Sequence, residues 1–161
     1  MSAPAPSPRS ADDSALLIQR HVRFGWWTLL VFLLLGMVLE TLHGFKVAAY
    51  LNVSNETRRL LWTLAHAHGT LLGLLNLAFA FTIARAMDWP ARPRGISSAC
   101  LRAATLLLPA GFFLAGFFLH SGDPGAGIVL VPIGAILLLI AVFLAAIGAG
   151  RSRTLGTGKS K

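Results

Sequence analysis

The chain has 161 residues, one domain's worth by length, yet 55% of them are apolar and only 12% charged, against about 25% charged in an ordinary soluble domain. Mean hydropathy is +0.70, and a water-soluble fold of this size leaves too much surface exposed to hide that much apolar area. Net charge is +8, from 14 Lys and Arg against 6 Asp and Glu, but the basic residues stand at the ends of apolar runs, which points to a membrane surface and away from nucleic acid.

Residues Met1–Asp13, rich in Pro, Ser and Ala, read as a disordered tail (1–13). Asp12, Asp13 and Ser14 are helix-start residues, so Ser14–Arg23 is expected to form a short amphipathic lead-in. Four segments then lack Asp, Glu, Lys and Arg: Phe24–Leu39 (16 residues), Leu60–Ala84 (25), Ala103–Leu119 (17) and Ala126–Gly150 (25). A spanning helix needs roughly 20 residues, so the first run qualifies only by continuing through Glu40 to His43. Unpaired backbone is not tolerated in hydrocarbon, so these runs must be helices. The predicted spans are 24–43, 60–84, 102–120 and 126–149, within a membrane domain of 14–150 that a polar basic tail (151–161) follows. Pro109 and Pro132 are expected to kink their spans. Asp123-Pro124-Gly125 reads as a turn, with Asp123 capping the fourth span, and Arg85–Arg102 leaves room for a surface helix. The long lead before the first run, together with Glu40, His43 and Lys46, argues against a cleaved signal peptide. The one thiol, Cys100, excludes an internal disulfide and gives no metal-ligand spacing.

Eleven of the 14 basic residues precede span one, flank the loop between spans two and three, or follow span four; Lys46, Arg58 and Arg59 stand on the other side. Basic residues of short loops stay cytoplasmic. The expectation is therefore an all-α integral membrane four-helix bundle, up-down-up-down, multi-pass in the cell inner membrane with both termini cytoplasmic. Trp26, Trp27 and Trp89 are expected at the inner interface, Tyr50 and Trp62 at the outer one.

Ionisable groups inside spans are costly and by default mark function. At 1.5 Å per residue, Glu40 stands about 25 Å and His43 about 30 Å above Arg23; His66 and His68 stand about 28 and 25 Å above Arg85, and His120 about 27 Å above Arg102. Five ionisable side chains on three helices are thus expected in one layer near the outer edge of the hydrocarbon. Glu40 and His43 share a helix face, whereas His66 and His68 lie about 200° apart and cannot both point at one centre. His21, beside the basic cluster, needs only an interfacial, snorkelling role. Gly69 and Gly73 form a G-x-x-x-G pair suited to close helix approach; the same small residues would also leave room for a flat cofactor.

Three chemistries suit such a layer. Glu40, His43, His66 and His120 could supply four ligands to a single transition-metal ion; His43, His66, His68 and His120 are the candidate cofactor ligands if the group is haem. Alternatively Glu40 and the histidines titrate in a proton-coupled or quinone-facing accessory protein. In the third reading the layer is a helix-to-helix hydrogen-bond network in a non-catalytic structural or assembly subunit. Partners under all three are the lipid bilayer and either further copies of the chain or a larger membrane complex. No Gly-rich phosphate loop, H-E-x-x-H or G-x-S-x-G is present, so no soluble-type enzyme is indicated.

The stretch Leu64-Ala65-His66-Ala67-His68-Gly69-Thr70-Leu71-Leu72 resembles segments of small, uncharacterised four-helix bacterial inner-membrane proteins with a histidine-bearing second helix. More distantly it is similar to the catalytic subunit of haem-copper oxidases. The resemblance implies a bacterial inner-membrane protein with room for a metal or haem centre. It does not carry oxygen reduction, for which the haem-copper family uses more ligating helices than this chain has.

Overall fold

In the computed structural model, which describes residues 8–51, 56–85 and 89–150, the regular elements are helical: α1 (Pro8–Gly44), the single turn α2 (Ala48–Leu51), α3 (Glu56–Arg85), α4 (Ala91–Phe117) and α5 (Leu130–Ala149), the last preceded by a 3-10 turn, Ala126–Val129. Four of the helices are long and apolar enough to cross a membrane.

The apolar runs define these helices, but several ends differ from expectation. α1 has 37 residues and is about 55 Å long, against a hydrocarbon core of about 30 Å. Its first turns include Pro8–Asp13, so the expected disordered tail is in part helical and the lead-in runs into the span without a break. Residues 1–7 and the 151–161 tail lie outside the described residues. At its other end α1 closes with Lys46 in the left-handed region (φ 50°). Val47 N–H reaches back to Leu42 O and Lys46 N–H to His43 O, the paired bonds of a Schellman cap.

α4 starts at Ala91, well before the expected 102. The anticipated surface helix between spans two and three is α4's own first turns. Pro90 supplies the extended N-cap residue, and Pro93 falls in the first turn, where no intrahelical bond is lost. The same logic covers Pro132, which occupies the first turn of α5 and so has no helical hydrogen bond to break. Pro109 does lie inside α4, fully buried, and deprives the Thr105 carbonyl of its helical donor. α4 ends at Phe117. His120 and Asp123 exchange backbone hydrogen bonds across Ser121 (φ 51°) and Gly122 (φ 88°). Positive φ at both central residues is what a type I′ turn requires. Asp123 therefore holds the turn rather than capping the next helix, whose N-cap residue is Gly125.

The helices pack as an open row: α1 on α3, α3 on α4, α4 on α5, with no packed face between α1 and α5 among the described residues. Glycines set the close approaches. Gly69 and Gly73 of α3 receive Phe32 and Leu29 of α1, and Gly36 of α1 receives the His66 ring of α3. The G-x-x-x-G pair is thus filled by side chains of the neighbouring helix. Leu72, Phe79, Ile83, Trp89, Leu101, Leu108 and Ala141 form the buried apolar core. Trp89, expected at the interface, belongs to that core because Gly148 of α5 leaves space for its ring.

Candidate functional site

The expected layer does not converge. Among the described residues, no three His, Cys, Asp or Glu side chains stand where they could hold one metal ion. Glu40 and His43 are exposed near the end of α1, and His120 is exposed in the turn after α4. His66 points into the α1–α3 seam, where Nδ1–H donates to Phe32 O at 2.7 Å. His68 points the other way, as two positions on a helix require: its Nδ1 is 2.8 Å from Leu64 O and its ring lies 4.9 Å from that of Phe112 on α4. A bare ion held by three or more such side chains of one chain therefore has no site among the described residues.

Tyr50 and Trp62, expected together at one interface, do meet. Their rings are 6.4 Å apart, and Trp62 stacks on Phe113 at 5.6 Å. Trp62 Nε1–H donates to Phe113 O, while Arg58 donates to Gly116 O and lies over the indole. This girdle ties the far end of α3 to that of α4.

The concentrated polar chemistry lies at the opposite, basic end, around a residue expected only to snorkel. His21 of α1 is fully buried between α3 and α4. Its Nδ1 is 2.7 Å from Asn76 Oδ1 and its Nε2 is 2.8 Å from Ser98 Oγ. Asn76 Nδ2 donates both to Leu72 O and to Thr105 Oγ1, and Thr105 in turn donates to Leu101 O. With the amide nitrogen so committed, Asn76 Oδ1 is the acceptor and His21 Nδ1 carries the proton. Nε2 of the neutral ring then accepts from the Ser98 hydroxyl. Donors and acceptors alternate through three helices, and the Phe79 ring covers the imidazole at 4.6 Å. The preceding residue, Ser97, donates to Ala141 O of α5, so adjacent residues of α4 extend the polar linkage to the fourth spanning helix.

Asn76, Ser97, Ser98 and Thr105 carry no charge, which is why a search for ionisable groups in spans passes over them. Asn76, a buried amide within an apolar run of 25 residues, was the available signal: in hydrocarbon an amide too must find a partner.

An all-helical, membrane-compatible chain with His21 and His66 hydrogen-bonded between helices is the class that fold and site define. No family model matches the chain, and no curated protein or solved structure matches it either.

Proposed function

We propose that this chain is a multi-pass protein of a bacterial inner membrane, crossing up-down-up-down with both termini cytoplasmic, and that it serves as a non-catalytic structural or assembly subunit of a larger membrane complex. The observation that carries the reading is that one set of interior polar side chains is spent on contacts within the chain. His21, Asn76, Ser98, Thr105 and His66 each hydrogen-bond another group of the chain, and four of these contacts join different helices. None of these groups is left over to bind or transform a substrate. The direction of crossing follows from the eleven basic residues on one side against three on the other.

A metal role would need ligands that converge, and a proton-coupled role would need a titratable path inward from the exposed Glu40, His43 and His120; the buried imidazole, His21, is closed in by Asn76, Ser98 and Phe79. The test is elemental analysis and an absorption spectrum of detergent-purified protein, beside thermal unfolding of His21→Ala and His66→Ala. The expected result is no haem band, no stoichiometric metal, and lower unfolding temperatures for both variants. A stoichiometric metal or a haem spectrum abolished by His43→Ala or His120→Ala would replace this reading with the coordination one.

A further inference from the structure

Two cavities lie along the line where α1 faces α4. The first, of about 270 Å³, is at the basic end, between the early turns of both helices; Asp13, Leu16, Leu17 and Arg20 of α1 and Ala91 and Arg94 of α4 line it. Arg94 is the unusual member. Only 6% of its surface is exposed, and its Nε has no hydrogen-bond partner. A buried guanidinium with an unused donor is costly unless an anion meets it. Arg20 brings a second guanidinium to the same cavity. Ala91 is the first residue of α4, whose N-cap residue, Pro90, gives no side-chain cap; with Pro90 and Pro93 lacking an N–H, the helix terminus adds the N–H groups of Ala91 and Arg92 and a partial positive charge. Asp13 is the one acidic wall residue, so the pocket carries a net charge of about +1 at neutral pH.

The second cavity begins one helical turn further along α1 and about three turns further along α4, beyond the His21–Ser98 contact. It has a volume of about 530 Å³ and runs between Phe24, Trp27 and Leu35 of α1 and Leu106, Pro109 and Phe113 of α4, open to the surroundings. Phe24 to Leu35 is about 17 Å of helix, close to the depth of one leaflet in a core about 30 Å thick. Arg20 stands about 6 Å from Phe24 along the helix. A singly charged anion pocket, followed on the same helix pair by an apolar groove one leaflet deep, has the order of a phospholipid: phosphate first, then hydrocarbon.

We propose that the α1–α4 line binds one anionic phospholipid, with its phosphodiester between Arg20, Arg94 and the start of α4 and one acyl chain in the groove between Trp27 and Phe113. Basic pockets between spanning helices recognise headgroups in this way, and each arginine near an anionic surface contributes about fivefold to binding. The site rests on the membrane-crossing reading and is separate from any assembly role. It is tested in the full chain, reconstituted in phosphatidylcholine nanodiscs; failure to reconstitute would count against membrane crossing itself.

Trp27, 60% exposed and part of the groove wall, supplies the readout. Brominated-chain phosphatidylglycerol should quench its fluorescence at several-fold lower mole fraction than brominated phosphatidylcholine, and Trp27→Phe should remove that component. Arg20→Gln, at an exposed position, should reduce the preference about fivefold. Arg94→Gln should act likewise, and Arg94→Lys should restore part of it where the Gln variant is unstable. Ala110→Phe, which fills the groove, should abolish quenching and leave the arginines in place. Equal quenching by the two lipids would overturn the proposal. So would displacement of phosphatidylglycerol by millimolar inorganic phosphate, because that outcome describes a free-anion pocket in which the chain plays no part.

Discussion

The two ends of the molecule hold similar residue types and use them in opposite ways. At the basic end, His21 sits between three helices, and each polar neighbour it touches is a member of one alternating chain of donors and acceptors. At the far end, Glu40, His43 and His120 are exposed on a helix terminus and a turn. The far-end helices are joined instead by stacked aromatic rings and by Arg58 and Trp62 donating to carbonyls of α4. Depth along a helix is therefore a poor guide to what a polar residue does. Azimuth decides: a histidine on the face toward α3 and α4 must be satisfied internally, whereas an exposed one at a helix end or in a turn is open to water or headgroups.

Three experiments sharpen that contrast. The largest effect is expected at the basic end from Asn76→Leu, which keeps the volume but leaves His21 Nδ1–H without an acceptor; orphaning a buried donor costs about 3 kcal/mol at the upper end of the usual range. Thermal or denaturant unfolding in detergent measures it, and a change under ~0.5 kcal/mol would remove the network from any account of stability. Next is Gly36→Ala. An added Cβ would overlap the His66 ring, and the ring can move aside only by giving up its bond to Phe32 O, so about 1–2 kcal/mol of destabilisation is expected. His66→Ala in the same background should relieve the clash, and a double-mutant cycle on the unfolding free energies would expose the coupling. The smallest effect belongs to the far end: His43→Ala with His120→Ala should shift stability by less than ~0.5 kcal/mol. A loss as large as that of Asn76→Leu would mean that those histidines are buried in an assembly of chains.

Much of the fold was legible because the bilayer imposes so strict a rule. Runs of 16 to 25 residues without a charge must be helical in hydrocarbon, and each of the four long helices holds most or all of one run. What went astray were ends and partners. Arg94, Ser97 and Ser98 look like loop residues in a row of letters, yet they are buried turns of α4, because Pro90 starts a helix there and α1 and α5 cover it. Trp89 has the composition of an interfacial anchor and is a core residue because Gly148, 59 positions away, has no side chain to oppose it. The candidate site suffered most. Height was countable at 1.5 Å per residue, so a layer could be described, but whether side chains at one height meet depends on the rotation of each helix.

Composition and charge placement alone settle that the chain has four membrane-compatible helices, since length and apolarity are properties of a segment by itself. Which helix lies beside which, and hence that His21 meets Asn76 and Ser98 while Glu40 meets no set of metal ligands among the described residues, is settled only by packing, such as Phe32 into Gly69 and His66 into Gly36 between α1 and α3 and Trp62 against Gly116 between α3 and α4. Those fits are pairwise: each requires a small residue on one helix opposite a large one on another, a relation between distant positions that no single segment contains.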